Sequence, residues 1–326
     1  MITAYVYEGN VVKKFDISTS SAPPAGTTWI DVENPSLEEE QRLEKKLNIN
    51  IPSRAEVNKI EVMSPFYKEE ECHYMTITDL QNTAGDNFRG IAVTFILTNK
   101  FVITLRYTQT PTLAAFSSRV MRAPMICSSP EIAVIHMLDV IVNKTAETLE
   151  TVGNELDRLL DSVFKKGSTG STNVSSDYNA VIRKTGQTGN TISKNRESLM
   201  SINRMLLYFS QIETEIGHSK ENKLRIRHIT REVNSLNEYA NFLSQRNSFL
   251  LDATLGMISV EQNMIIKIFT VASVVFMPPT LIASVYGMNF VNMPELHSVI
   301  GYPISISVMI ISAVLPYAFF KKRKWI

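Results

Sequence analysis

The chain has 326 residues, of which 44% are hydrophobic, and its formal net charge at pH 7 is +1. A balance this close to neutral gives no argument for nucleic-acid binding, so no nucleic-acid partner is expected. Two cysteines, Cys72 and Cys127, lie far apart in the sequence. They are predicted to be reduced thiols in a cytosolic compartment rather than a disulfide. The N-terminus has neither the basic nor the apolar segment of a cleaved signal peptide.

Residues 1–110 are predicted to form an α/β domain. Short runs rich in β-branched and aromatic residues, bounded by turn residues, predict strands at residues 4–7, 28–32, 74–78, 91–97 and 101–105. Asn99 and Lys100 are predicted to form a two-residue hairpin turn between the last two of these strands. Ser36, which precedes three glutamates, predicts the capped start of a helix that ends at about Leu47.

The pattern after this domain is helical. Apolar residues at helical spacing predict helical structure over about residues 112–163 and a second helix over about residues 178–216. Between them, residues 167–173 are Gly, Ser, Thr and Asn, which is typical of a loop or a helix-hairpin tip. Residues 111–217 are therefore predicted to form a cytosolic helical layer.

A long stalk helix is predicted next, over residues 218–267. Residues 219–277 contain no proline and a single glycine, Gly256. If this stretch is helical throughout, it extends roughly 88 Å, which is too long for an ordinary globular helix. A helix that continues from the cytosol into a membrane can transmit a cytosolic event mechanically.

Two apolar runs near the C-terminus, residues 268–285 and 299–320, contain no charged residue. As helices they would reach roughly 27 and 33 Å, and backbone in lipid must satisfy its own hydrogen bonds, so both are predicted to span a membrane. The loop between them, residues 286–298, contains no Lys or Arg, whereas the tail at residues 321–326 starts with four basic residues. The positive-inside rule then predicts a multi-pass protein of the inner (plasma) membrane with both termini in the cytoplasm.

The first apolar run carries small and polar residues on one helical face, which indicates a pore lining. The residues at +3 or +4 spacing from Asn263 are Ile266, Thr270, Ser273, Met277, Thr280 and Ser284. We call these six residues and Asn263 the candidate pore face. The alternative is close packing between membrane helices, which small residues also favour. Because one helix per subunit cannot enclose water, a pore requires several subunits around an axis.

Pro278 and Pro279 lie within the same run. Proline removes a backbone donor, so the pair is predicted to bend or widen the helix, with a tolerated kink of no functional role as the alternative. Directly after the run, residues 286–289 are Tyr-Gly-Met-Asn, and residues 293–296 are Met-Pro-Glu-Leu.

These two motifs, placed between two membrane spans and ahead of a basic C-terminus, resemble the signature of the CorA family of magnesium and cobalt transporters. The resemblance implies an α/β cytosolic domain, a long α-helical stalk and two transmembrane helices, assembled as a funnel-shaped homopentamer with the first span inside. It further implies uptake of hydrated Mg²⁺ that is driven by the membrane potential and gated by intracellular Mg²⁺. Co²⁺ and Ni²⁺ are alternative substrates.

The resemblance also implies roles for individual residues. Gly287, Met288 and Asn289 would form the outer selectivity filter, where neutral oxygens accept hydrogen bonds from the water shell that Mg²⁺ sheds reluctantly. Glu295 would add a ring of carboxylates at the mouth. Deeper in the pore, Met277 and Ile266 resemble the family's hydrophobic constrictions. Thr280 and Asn263 resemble its polar rings.

Further positions resemble the family's regulatory and flanking sites. Asp252 resembles a regulatory acid on the stalk, and its partner on a neighbouring subunit is expected to be Asp79 or Asp86. Phe269 falls where the family can place a large apolar pore residue, whereas helical spacing favours Thr270 as the residue that faces the pore. Residues 321–324 resemble a basic ring at the cytoplasmic mouth, with binding of lipid headgroups as the alternative.

No catalytic set is evident, so the chain is not expected to be an enzyme. The five histidines lack metalloenzyme spacing, and no Walker-type phosphate-binding loop is present, so no ATP drive is expected. An inside-negative potential supplies about 4.6 kcal/mol per 100 mV for a dication instead. Two alternatives stay open: a zinc transporter of the same superfamily, whose members usually lack the Met-Pro-Glu-Leu loop, and a membrane-anchored scaffold or sensor.

Overall fold

The structure is a computed structural model that describes residues 1–18, 22–57, 65–83, 87–166, 174–216, 220–288, 300–323 and 325. By its internal contacts the chain forms two compact units. The first unit comprises Met1–Lys165 and Asn179–Leu251, and the second comprises Lys166–Tyr178 and Asp252–Ile326.

A seven-stranded mixed sheet lies at the centre of the first unit. Its strands are β1 (Ile2–Glu8), β2 (Val11–Asp16), β3 (Thr27–Glu33), β4 (Phe66–Glu69), β5 (Cys72–Thr83), β6 (Asn87–Leu97) and β7 (Val102–Arg106). They lie in the order β2-β1-β3-β7-β6-β5-β4; the β3–β7 pair is parallel and the other neighbouring pairs are antiparallel. The five predicted strands are confirmed as parts of β1, β3, β5, β6 and β7, whereas β2 and β4 were absent from the prediction.

Two local sequence signals have the predicted structural effect. Ser36 caps helix α1 (Leu37–Leu47) in a capping box: the amide of Glu39 donates to Ser36 Oγ at 3.3 Å, and the amide of Ser36 donates to Glu39 Oε2 at 2.9 Å. The hairpin at Asn99 and Lys100 is also confirmed, since β6 and β7 pair antiparallel and the amide of Thr98 donates to the carbonyl of Phe101 at 3.0 Å.

The remaining helices include α2 (Pro111–Arg122), α3 (Pro130–Lys166), α4 (Val174–Ile216), α5 (Lys220–Tyr286) and α6 (Gly301–Lys322), with a 3₁₀ helix at Pro124–Cys127. The helical structure predicted over about residues 112–163 is thus confirmed but divided into three elements. Each of them starts at a proline, which cannot continue a preceding helix but suits a first helical position. The second helix predicted in this layer corresponds to α4.

The long stalk helix is confirmed, and it continues into the first apolar run as expected. Helix α5 has 67 residues, a rise of roughly 100 Å, and it includes the stalk and the first apolar run without a break. Its residues up to Leu251 belong to the first unit, and those from Asp252 belong to the second. Helix α6 is the second apolar run.

The sheet has two packed faces. On one face, Tyr5 and Trp29 stack with ring centroids 4.0 Å apart, and Phe116 of α2 meets Trp29 edge-on at 5.0 Å. On the other face, Leu43 of α1 joins an apolar cluster that contains Ile30. Because neighbouring residues of a strand point to opposite faces, α1 and α2 lie on opposite sides of the sheet, and the predicted α/β fold class is confirmed.

Cys72 and Cys127 are both buried and free, which confirms the prediction that they form no disulfide. Burial raises the pKa of both thiols, and that of Cys127 reaches about 11. A neutral buried thiol packs as a small apolar side chain and is a poor nucleophile and a poor metal ligand.

Candidate functional site

Two helices have the length and composition to cross a membrane. Both α5 and α6 contain an 18-residue apolar window of which only 6% is buried within the chain. The exposed side chains are large and apolar; they include Phe276, Leu281, Ile310 and Leu315, each more than half exposed. Surface of this kind is unstable in water, so lipid or further protein subunits must cover it.

The membrane part of α5 has two different faces. Val271 is 7% exposed, and the residues above it at helical spacing are half-buried, namely Val275, Pro278, Pro279, Ile282 and Tyr286. At about 100° per residue, this packed face centres roughly 160° from the candidate pore face. All seven residues of the candidate pore face are exposed. The face chosen from sequence therefore lies within the part of the helix that a single chain leaves without packing, together with apolar neighbours such as Phe269 and Phe276.

Two hydroxyl groups of the candidate pore face are oriented by the helix itself. Thr270 Oγ1 donates to the carbonyl of Ile266 at 2.8 Å, and Thr280 Oγ1 donates to the carbonyl of Phe276 at 2.7 Å. Since each hydroxyl proton is used inside the helix, the lone pairs of each oxygen are left to accept hydrogen bonds. Water molecules bound to a cation point their hydrogens outward and donate hydrogen bonds. Hydroxyl oxygens that can only accept are therefore suited to contact this water shell.

Helix α5 continues through Pro278 and Pro279 to Tyr286. Neither proline can donate to the carbonyl four residues earlier, so Val274 and Val275 lose their usual amide donors. The predicted bending or widening of the helix by this pair stays a prediction.

The end of α5 is formed by the first residues of the Gly-Met-Asn triplet. The amide of Gly287 donates to the carbonyl of Ala283 at 2.9 Å, and the amide of Met288 donates to the carbonyl of Val285 at 3.3 Å. A Cβ atom at Gly287 would lie 3.2 Å from the Ala283 oxygen, so a larger residue would crowd this turn. Gly287 and Met288 are both exposed. Asn289 and Glu295 lie outside the described residues.

The other predicted site residues are exposed, and a single chain does not bring them together into a metal site. Asn263, Ile266, Met277 and Thr280 lie along α5, and Phe269 beside them is 68% exposed. At the end of α6, Lys321, Lys322 and Arg323 are exposed, whereas Lys324 lies outside the described residues. Within the described ranges, no group of three or more His, Cys, Asp or Glu side chains could hold a metal ion.

Asp252 is exposed on α5, but one of its two expected partners is not available at a surface. Asp79 is 2% exposed; it accepts a hydrogen bond from the hydroxyl of Thr112 and, at 2.8 Å, one from the amide of Leu80. It is therefore an interior residue of the first unit, and the expectation that it faces a neighbouring subunit is wrong. The sequence did not reveal this, since the contact with Thr112 joins residues far apart in the chain. Asp86 lies outside the described residues.

Burial has a pH-dependent consequence at Asp79, because desolvation raises its pKa from 3.8 to about 6 despite the two hydrogen bonds. The folded state then keeps a proton that the unfolded chain has lost. The protonated Asp79 carboxyl adds to the free energy of unfolding. This contribution is complete below about pH 3.8 and is lost as the pH rises through about 6.

Asp79→Asn should flatten this pH profile, because the amide does not titrate. The carboxyl of the wild type should account for a loss of roughly 1.4 kcal/mol in the free energy of unfolding between pH 5 and pH 8. Unfolding of the purified chain by denaturant at several pH values measures it. Parallel profiles for the two proteins would contradict the raised pKa.

Comparisons with known proteins identify the family of the chain. A family model described as "CorA-like Mg2+ transporter protein" matches residues 24–322. The chain belongs to this family. The magnesium transport protein CorA of Escherichia coli strain K12 is 29% identical over 326 residues, which is 100% of both chains. The recognition based on the Gly-Met-Asn and Met-Pro-Glu-Leu motifs is thereby confirmed.

Solved structures support the fold. The CorA magnesium transporter from Methanocaldococcus jannaschii matches with a TM-score of 0.77 at 18% identity, over 100% of this chain and 99% of that chain. The cytoplasmic domain of ZntB from Vibrio parahaemolyticus matches with a TM-score of 0.56 at 10% identity, over 78% of this chain and 96% of that chain. The architecture of an α/β domain, a long helix and two apolar C-terminal helices is thus that of CorA structures.

Proposed function

We propose that this CorA-like chain takes up hydrated Mg²⁺ through a pore lined by the membrane part of α5. The single observation that carries the proposal is the candidate pore face. Its residues are exposed, several are polar, and they lie opposite the packed face of a helix that is otherwise apolar. The family and the magnesium transport protein of E. coli support Mg²⁺ as the substrate.

The pore is enclosed by the assembly of several subunits. One α5 helix per chain cannot enclose water, so several copies surround a common axis, and the family resemblance gives a homopentamer. The candidate pore face then points to the axis, and α6 lies outside against lipid. This arrangement covers the apolar side chains of both helices, whose exposure to water would be unfavourable.

The chemistry of the pore is recognition of a dication through its water. Mg²⁺ dehydrates reluctantly, so the filter at Gly287, Met288 and Asn289 offers neutral oxygens to bound water rather than a dry cage of carboxylates. Glu295 concentrates cations at the mouth. Thr280 and Asn263 form polar rings deeper in the pore, and Met277 and Ile266 form the constrictions that close it.

The driving force is electrical. An inside-negative potential contributes about 4.6 kcal/mol per 100 mV for a dication, so uptake needs no ATP. The exposed basic residues at the end of α6 orient both termini to the cytoplasmic side of the inner membrane and contact anionic headgroups or the pore mouth. Co²⁺ and Ni²⁺ are further substrates in this proposal.

Metal flux into proteoliposomes that contain only this protein tests the function. We expect Mg²⁺ entry that follows an imposed inside-negative potential, with Co²⁺ and Ni²⁺ entering or competing and Zn²⁺ transported poorly. Native mass spectrometry of the same preparation should give five chains. Zn²⁺ entry without Mg²⁺ entry would favour the zinc alternative. A protein that inserts but conducts no metal, or that forms only monomers or dimers, would overturn the pore.

A further inference from the structure

A basic groove lies in the first unit between α4 and α5. It has a volume of about 530 Å³, within the range of small-molecule sites. Its lining residues combine cations, hydroxyls and aliphatic side chains: Leu206, Leu207, Ser210, Lys223, Ile226, Arg227, Thr230 and Arg231. The groove contains no acidic residue among the described residues that line it.

The cations of the groove form a row on one face of α5. Lys223, Arg227 and Arg231 follow at intervals of four residues, so they span roughly 12 Å along the helix. All three side chains are exposed, and within the described ranges none of them has an ion-pair partner. Among the nearby acids whose side chains are described, Glu221 pairs with Arg225 at 3.1 Å, and Glu232 lies 3.9 Å from His228. Nothing is described of the side chains of Glu213 and Glu215 at the end of α4.

This row destabilises the helix unless an anion neutralises it. Like charges four residues apart repel each other, and here no carboxylate on the same face compensates. Lys223 also lies in the first turn of α5, where the helix dipole favours negative charge. An anion in the groove would therefore relieve repulsion between three side chains and gain bidentate contacts from two guanidinium groups.

The rest of the groove limits the chemistry of that anion. Leu207 is 57% exposed and so presents an apolar surface beside the cations, whereas Leu206 and Ile226 are buried beneath the groove. A simple inorganic anion would leave this surface in water. We propose that the groove binds an organic polyphosphate of the nucleoside triphosphate class, with the phosphate chain along the three cations and the organic part against Leu207. The described residues that line the groove include no aromatic ring, so discrimination between bases should be weak.

The charge row also selects the metal-free form of such a ligand. A free nucleoside triphosphate carries about four negative charges at neutral pH, and bound Mg²⁺ cancels two of them, which weakens attraction to the row. The groove thus favours the form of the ligand that accumulates when Mg²⁺ is scarce. This last consequence rests on the proposed transport function, whereas binding itself does not.

Isothermal titration of the purified full chain with ATP, in the absence and presence of saturating Mg²⁺, tests the proposal. We expect binding of metal-free ATP, about tenfold weaker binding of Mg²⁺-loaded ATP, and weaker binding of AMP and of inorganic tripolyphosphate. The double variant Arg227→Gln/Arg231→Gln should weaken binding of metal-free ATP about tenfold or more, and Lys223→Gln should weaken it less. The double variant is titrated with ATP in the same two conditions. Because it lacks two cations of the groove, any Mg²⁺ dependence that it retains arises elsewhere in the protein.

The matched control is Lys144→Gln/Arg158→Gln on α3, which removes the same charge from two exposed ion pairs outside the groove. It should bind ATP as the wild type does. Equal loss in the control and in the groove variant would reduce the effect to net charge and overturn the site. Undiminished binding in the groove variant, tripolyphosphate binding as tight as ATP binding, or no binding of metal-free ATP would also overturn it. Since no flux is measured, this outcome is independent of the transport test.

Discussion

Replacing Asn289 with alanine should abolish Mg²⁺ uptake while leaving membrane insertion and oligomer size intact. In the Gly-Met-Asn triplet only Asn289 has a side-chain oxygen, and the proposed filter uses that oxygen to accept a hydrogen bond from the water shell of the ion. A typical hydrogen bond contributes about 1 kcal/mol, so its loss from one subunit reduces the flux roughly fivefold, and its loss from every copy in the ring multiplies the effect. Flux into proteoliposomes under an imposed potential measures the effect.

The same loop offers a matched control for this experiment. Asn292→Ala removes an identical amide three residues later, outside the triplet, and should retain most of the uptake. Native mass spectrometry should give the same assembly for both variants and the wild type. A correctly assembled Asn289→Ala protein with near-normal flux would remove Asn289 from the filter, and equal losses in both variants would assign the effect to the loop as a whole.

The sheet shows how far sequence patterns reach and where they fail. The strands that were predicted occupy five successive positions of the sheet, where β-branched and aromatic residues are buried. The two strands that were not predicted, β2 and β4, are its edges. In β2 only Val12 is buried, and β4 has four residues with none buried, because an edge strand has fewer neighbours to pack against. Without burial there is no alternation of apolar residues to detect.

The membrane part was predictable because few positions there tolerate polarity. In an apolar helix each hydroxyl or amide is conspicuous, so Thr270, Ser273 and Thr280 define a face by their spacing alone. The packed face opposite them was not assigned, although Val271 and Val275 lie one turn apart, since apolar residues occur on every other side of the helix as well. The structure distinguishes the two faces by their exposure.

Sites that depend on contacts between distant segments were not predictable. Asp79 has the sequence context of any strand acid, and its burial follows from packing against α2. Likewise, Lys223, Arg227 and Arg231 alone indicate only a solvated helix face. They become a groove when Leu206 and Leu207 of α4 lie beside them, and the four-residue spacing of the cations is the one signal present in the sequence.

Asp252→Lys should make the cytoplasmic part of the protein insensitive to intracellular Mg²⁺. Asp252 is exposed on α5, eleven residues before Asn263 and roughly 16 Å from it along the helix. In a pentamer of parallel stalks, five copies of this acid repel each other unless a dication bridges each one to an acid of the neighbouring subunit. Since Asp79 is buried, Asp86 is the partner that we now propose. In this proposal, bound Mg²⁺ would hold the stalks together, and its loss would let them separate and move Met277 off the axis, a two-state change biased by one ligand.

Limited proteolysis of the purified protein with and without millimolar-range Mg²⁺ measures this coupling. Mg²⁺ should slow digestion of the wild-type cytoplasmic part about tenfold, in line with a typical coupling free energy between sites. A lysine at position 252 replaces the metal by a fixed positive charge that pairs with the neighbouring acid, so the variant should be digested at nearly the same rate in both conditions. Glu238→Lys makes the same charge change at another exposed acid of α5 and should keep the wild-type response. Equal Mg²⁺ dependence in the wild type and in Asp252→Lys would show that Asp252 is not part of the sensor. If both Asp252→Lys and Glu238→Lys lost the Mg²⁺ response, the loss would reflect the charge of the stalk in general.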